Sequence, residues 1–152
     1  MTILEVWDIL TKQLSNAIPE VKVYRCYDVL TQLSDIAADN QPRLYVQLEG
    51  VESTPIGPGQ SRDTMEDICD FTLNLIWKAR STRITEYDSL LPIVSKIADA
   101  LRYRKLEQQN DSIAILNPSF GTEGELFDKD VLTDEGIFLS SFSIQTKSRR
   151  TI

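Results

Sequence analysis

Thr64-Met65-Glu66-Asp67-Ile68-Cys69-Asp70-Phe71-Thr72-Leu73-Asn74-Leu75-Ile76-Trp77-Lys78-Ala79 is the stretch that decides the fold. Met65, Cys69, Phe71, Leu73, Leu75 and Trp77 fall on one side of an extended chain; Glu66, Asp70, Thr72, Asn74 and Lys78 fall mostly on the other. Alternation of this length predicts a long strand in an antiparallel sheet, with one face on a core and one face in water. Asp67 interrupts the apolar side near its start. That places this end of the strand beyond the core, toward the loop that precedes it.

Working outward, Pro42–Glu49 alternates Leu44, Val46 and Leu48 on one face and reads as a second strand. Between the two, Gly50–Arg62 holds Pro55, Gly57, Pro58 and Gly59 among Ser53, Thr54 and Ser61, which is loop chemistry. The segment is too long for a tight hairpin turn, and a loop of that length in a compact domain is usually functional or disordered. Val21–Arg25 suits a short strand, and Ile113–Leu116 another, stopped by Asn117-Pro118. Ile137–Thr146 is the last expected strand, with Phe138, Ser140, Phe142 and Ile144 on one face. Lys147–Ile152 follows as a flexible basic tail.

Two helices are expected. Ile3, Trp7, Leu10, Leu14 and Ile18 recur at steps of three and four, and Thr2 with Glu5 forms a capping box ahead of them. Asn16–Pro19 ends that helix. The second covers Ser89–Tyr103, with Leu90, Leu91, Val94, Ile97, Ala98 and Leu101 as its apolar stripe and Lys96, Asp99 and Arg102 toward water. Pro92 is tolerated because, with Ser89 as N-cap, it lies in the first turn, where no helical N–H bond is lost. Tyr27–Asn40 fits either a short helix on Leu30, Leu33 and Ala37 or an irregular crossing. Glu123–Gly136 is acidic and rich in turn residues. The expected fold is one α+β domain over residues 1–152. It is a mainly antiparallel sheet of four to five strands with two helices packed on one face and a long protruding hairpin loop.

Composition excludes several function classes. The 152 residues carry a net charge of −7, which disfavours non-specific nucleic-acid binding, since phosphate contacts need clustered Lys and Arg. No apolar run approaches the ~18 residues of a membrane span. Glu5 and Asp8 interrupt the opening segment, so no signal peptide is expected there, and Cys26 and Cys69 are expected as free thiols in a reducing cytoplasm. There is no histidine, which removes the usual Ser-His-Asp and Cys-His constellations and all imidazole metal ligation.

The remaining motifs carry little chemistry. Gly57-Pro58-Gly59-Gln60-Ser61-Arg62 lacks the Lys-Ser/Thr pair of a phosphate loop. Asp128, Asp130 and Asp134 resemble a calcium loop only until Leu132, Thr133 and Leu139 occupy the positions that need a ligand, a glycine and a glutamate. Glu66 and Asp70 share one strand face without any sign of a pocket around them. Tyr24, Tyr27, Tyr45, Phe71, Trp77 and Tyr103 do not interleave with a basic patch and suit core or interface packing. No catalytic, cofactor-binding or metal-binding residue is expected.

In order, size and spacing, these segments resemble the tail-terminator (tail-completion) proteins of tailed bacteriophages. The resemblance runs through the opening helix around Trp7 and Leu10, strand Leu44–Glu49, loop Gly50–Arg62 and strand Met65–Trp77. Helix Leu90–Leu101 and strand Ile137–Thr146 complete it. It implies a structural protein of the virion neck, at the top of the tail, assembled in the host cytoplasm. Such a protein forms a hexameric homo-oligomeric ring on the finished tail tube, ends tube polymerisation and joins tail to head connector. Its partners would be the tail tube protein and a head connector or neck protein, with DNA passing through an acidic lumen without specific binding and no membrane contact. The residues expected at the oligomer or tube interface are Pro55, Gly57, Gly59, Arg62, Asp63, Glu66, Asp70, Arg149 and Arg150.

Alternatives are another phage neck or head-completion protein, or a non-viral α+β module that binds a ligand or a protein. A third is an enzyme using carboxylates, with Mg²⁺, drawn from Asp63, Glu66, Asp67 and Asp70.

Overall fold

Helix α1 (Ile3–Ala17) starts at the expected capping box. The Thr2 hydroxyl accepts from the Glu5 N–H at 3.1 Å, and the Glu5 carboxylate accepts from the Thr2 N–H at 3.3 Å. Two of the orphan donors of the first turn are thereby satisfied. Val6, Trp7, Leu10 and Leu14 are buried along one stripe, and Ile18 closes the helix with its N–H on the Leu14 carbonyl. Each such side chain contributes roughly 1.5–3 kcal/mol of burial. The Trp7 indole N–H also donates to the Val46 carbonyl at 2.9 Å, which ties the helix to the sheet.

The computed structural model describes residues 2–28, 41–56, 64–78, 88–102, 113–121, 127–128, 131–132 and 136–151. After α1 come β1 (Lys22–Cys26), β2 (Arg43–Ile56), β3 (Thr64–Trp77), α2 (Leu90–Arg102), β4 (Ala114–Phe120) and β5 (Phe138–Thr151). The five strands form one sheet in the order β1-β2-β3-β5-β4. Only β1 and β2 are parallel; every other pair is antiparallel. This is the α+β architecture that the alternation of residues 64–79 predicted. The short helix weighed for Tyr27–Asn40, most of the Glu123–Gly136 stretch and the tip of the β2–β3 hairpin lie outside the described residues. No helix among the described residues is long and apolar enough to cross a membrane.

The two helices pack on the sheet face that carries Phe71, Leu73, Leu75 and Trp77 of β3, Leu44 and Val46 of β2, and Phe138, Phe142 and Ile144 of β5. We call this the inner face. On α2 the buried residues are Leu90, Val94, Ile97, Ala100 and Leu101, whereas Leu91 is 43% exposed. The contact stripe is therefore narrower than expected and turned toward Ala100, because the sheet covers only the 90–94–97–101 ridge. A smaller apolar cluster, Cys26, Tyr45, Ile76 and Ile137 with Val131 and Leu139, covers one end of the opposite, outer face. Asp128 braces it: its N–H donates to the Leu139 carbonyl at 2.8 Å, and its carboxylate accepts from the Val131 N–H at 3.1 Å.

Three segments expected as loop or tail are strand. Residues 50–56, assigned by composition to the loop Gly50–Arg62, continue β2 and pair with residues 64–70 of β3. The long edge of β3 supplies hydrogen-bond partners that override the turn propensity of Ser, Thr and Pro. Lys147–Thr151, expected as a tail, extends β5 along β3 as far as Thr64. β4 does not stop at Asn117-Pro118. It absorbs that pair as a bulge, with Asn117 at a positive φ of 49°, and resumes at Ser119. Asn is one of the few side chains that tolerates this conformation.

Candidate functional site

The inner-face core ends at Cys69 on β3 and Ile144 on β5. Beyond it, residues 51–56 of β2, 64–69 of β3 and 146–151 of β5 run on as a ribbon, with β4 beside β5 as far as Ala114 opposite Lys147. Six residues at ~3.4 Å each make it ~20 Å long. What holds the ribbon is polar. Ser53, Asp67 and Ser148 sit opposite one another across the three strands, and Arg150 reaches in from the next inner-face position. Asp67 is only 1% exposed. One carboxylate oxygen accepts from the Ser53 hydroxyl at 2.5 Å and the other from Arg150 Nε at 2.6 Å; Arg150 also donates to Ser53 Oγ at 3.4 Å. A carboxylate taken out of water needs this double partnership. Asp67 thus lies beyond the apolar core, on the strand end that runs toward the loop, as expected from its position; what the sequence did not show is that it is buried there and clamps β2, β3 and β5 together. Cys69 follows on the same face, and burial pushes its thiol above the ordinary range.

On the outer face of the ribbon, Glu66 pairs with Lys147 at 3.5 Å and lies opposite Arg149. Asp70 is exposed and accepts from the Gln145 carboxamide at 2.7 Å; Gln145 accepts in turn from Asn117 at 2.8 Å. Gln47 donates to Glu49 at 2.9 Å. Glu49, Asp70, Thr72, Asn117, Ser143 and Gln145 line a depression of 430 Å³. Two irregularities aim side chains into it: the β2 bulge at Glu49, between Leu48 and Gly50, and the β4 bulge at Asn117. Bulges re-aim side chains in this way at sheet rims and beside binding sites. The surface offers carboxylates and carboxamides to a polar or basic partner.

The edge of β2 is the other notable feature. β1 pairs with it only from Arg43 to Gln47. From Leu48 onward no strand among the described residues occupies that side, and Val51, Glu52, Ser53, Thr54 and Pro55 are all exposed. Pro55 fits because an edge strand can spare a ladder N–H.

The interface residues named from sequence divide accordingly. Pro55 lies on the exposed edge of β2, opposite Met65. Glu66, Asp70 and Arg149 share the outer face, with Glu66 and Arg149 directly across from each other. Arg150 turns to the inner face and is committed to Asp67. Gly57, Gly59, Arg62 and Asp63 lie outside the described residues. Of the carboxylates considered for metal-assisted chemistry, Glu66 and Asp70 face outward and Asp67 inward, so these three do not converge; no group of three or more His, Cys, Asp or Glu among the described residues does. Sequence reasoning missed Ser53, Glu49, Asn117 and Gln145. A carboxylate at an apolar position of a strand, as at Asp67, was the one signal that a cationic partner had to exist.

A second depression, of 270 Å³, is lined by Tyr24, Arg25, Arg43 and Tyr45. Sequence left these aromatics unconnected to basic residues, but the β1–β2 pairing brings them together. Tyr24 and Tyr45 stack at 5.7 Å, and burial pushes the Tyr45 phenol up. Arg25 is already engaged by Asp8 at 3.3 Å and by the Trp7 ring. Scans of the chain against protein-family models and against curated proteins find no match.

Proposed function

We propose that this chain is a virion assembly subunit that closes into a ring on the end of a phage tail tube, stops its growth and presents a joining surface to head-connector or neck proteins. The observation that carries this reading is the clamped ribbon. An extension of β2, β3 and β5 whose β2 edge carries no further strand among the described residues suits a contact with a neighbour, and Asp67–Arg150 holds it in one conformation. The element order in which the chain resembles tail terminators adds the ring. Closing a ring requires head-to-tail contacts between unlike surfaces, which an arm at one end of a sheet supplies. The outer-face carboxylates Glu49, Glu52, Glu66 and Asp70 suit a lumen that passes DNA without gripping it.

The test is mass by light scattering across a concentration range, negative-stain imaging of any oligomer, and capping of purified tail tubes. A closed ring with a central hole, or capping of tubes by a chain that is monomeric alone, is the expected result. A two-fold dimer without a hole that leaves tube growth unchanged would overturn the reading.

A further inference from the structure

We propose that the open lane beside residues 48–56 of β2 receives an extended segment of a partner protein as an added strand, one that carries Lys or Arg at alternate positions. The proposal rests on the assembly reading in taking the ribbon as a contact surface, and it adds the chemistry of what is contacted.

Among the described residues the lane holds no strand. Among the described strands, β2 is interior as far as Gln47, where β1 ends, and an edge thereafter. The backbone does not fray where its neighbour stops: β2 stays in unbroken antiparallel register with β3 from Val51 opposite Cys69 to Ile56 opposite Thr64. A strand in regular conformation, paired on one side only, presents a row of N–H and C=O groups ready to template another chain. Proteins that avoid such contacts shorten the edge, place Lys on it or cover it. Here the edge is long and carries no Lys or Arg, and the bulge at Glu49 and Pro55 blunt only its two ends.

The side chains state what should bind. Glu52 lies on the outer face, Glu49 projects from the bulge at the mouth of the lane, and both are exposed. Asp70, opposite Gly50 on the next strand, is exposed on the same face, and Gly50 puts no side chain between it and the lane. A strand laid in the lane therefore passes three carboxylates on its outer side, which calls for basic side chains at every second position. Its inner side meets Val51 and Ser53, which suits Val or Thr. Main-chain hydrogen bonds supply affinity and the alternate charges supply register, as strand addition works in general.

The experiment uses the full chain and a fluorescein-labelled nonapeptide with lysine at alternate positions and valine or threonine between, read by fluorescence anisotropy. Two control peptides replace the lysines with glutamate, or carry N-methyl groups on alternate amides. The paired variant Val51→Lys/Glu52→Lys changes only exposed side chains, so its melting temperature should match the parent. Binding of the lysine peptide that weakens at least tenfold in both controls and in the variant is the expected result. Equal binding of the N-methylated peptide would reduce the contact to unspecific charge, and equal binding by the variant would place it elsewhere; either overturns the proposal. Failure to bind, with loss of self-association in the variant, would assign the lane to a second copy of this chain and also overturns it. Ring formation and tube capping are scored separately. Peptide binding without a ring leaves the lane standing and the ring reading lost, and a ring in the variant equal to the parent's leaves the ring standing without the lane.

Discussion

Arg150→Ala should be among the most damaging single substitutions outside the apolar core. Arg150 Nε is the only cationic partner in hydrogen-bond range of the Asp67 carboxylate among the described residues, and that carboxylate is 1% exposed. Breaking a buried pair from one side typically costs about 3–5 kcal/mol, because the remaining charge is left without compensation. The arginine itself is 33% exposed, so water reaches the vacated site and the lower end applies, about 3 kcal/mol. For a domain of this size that corresponds to a drop of roughly 6–12 °C in Tm. Asp67→Ala should cost less, about 1–2 kcal/mol, since Arg150 can turn to solvent while Ser53 loses only a neutral donor role. The double variant should be no worse than Asp67→Ala alone, which makes the coupling energy about 3 kcal/mol. Urea unfolding of the four proteins measures this cycle. The interaction should also survive ~1 M salt, where surface pairs are screened. A loss under about 1 kcal/mol for Arg150→Ala, or additive single effects, would refute the clamp.

Other consequences are smaller or more conventional. Trp7→Phe keeps most of the apolar volume but removes the donor to the Val46 carbonyl, and should cost about 1–3 kcal/mol in the same assay. Leu10→Ala, at 1% exposure between α1 and the sheet, should cost about 2–5 kcal/mol, whereas Thr2→Ala should cost only ~1 kcal/mol through the lost cap. Burial raises the Cys26 and Cys69 thiols above their ordinary 9.0 and the Tyr45 phenol above its ordinary 10.0. A group whose folded-state value is raised lends full stability below the unfolded value and loses it as pH climbs toward the folded one. The urea midpoint should therefore hold up to about pH 9 and fall beyond it. Cys69→Ala should flatten that fall. Both thiols should resist iodoacetamide at neutral pH until the protein is unfolded.

What could be read in advance was what local pattern alone determines. The period-two alternation of β3, the stripe of α1 and its capping box are statements about neighbouring residues, and each stands in the structure where the pattern put it. The mis-assigned stretches share one cause. Residues 50–56 and 147–151 have turn-like or charged composition, and they are strands only because β3 lies between them and bonds to both. That pairing joins positions distant in sequence, as Asp67 and Arg150 are at 83 residues apart. The site followed the same division. That Glu66 and Asp70 share a face was legible from spacing, but that Arg149 and Arg150 split to opposite faces required knowing that they belong to a strand. The depression around Glu49 and Asn117 depends on two bulges, and a bulge shifts every later side chain by one place.

The sheet order also bears on how the protein is made. β5 is synthesised after the other described strands, yet it lies inside the sheet, between β3 and β4. Until residue 151 has cleared the ribosome, β4 lacks its one partner among the described strands and β3 lacks β5 along its second edge, so the Asp67 carboxylate awaits Arg150. The nascent chain therefore cannot complete this sheet strand by strand as it emerges, and folding waits for β5. During that interval the bare flank of β3 is open to other nascent copies, so high-level expression should favour aggregation unless synthesis is slowed or a chaperone shields that flank.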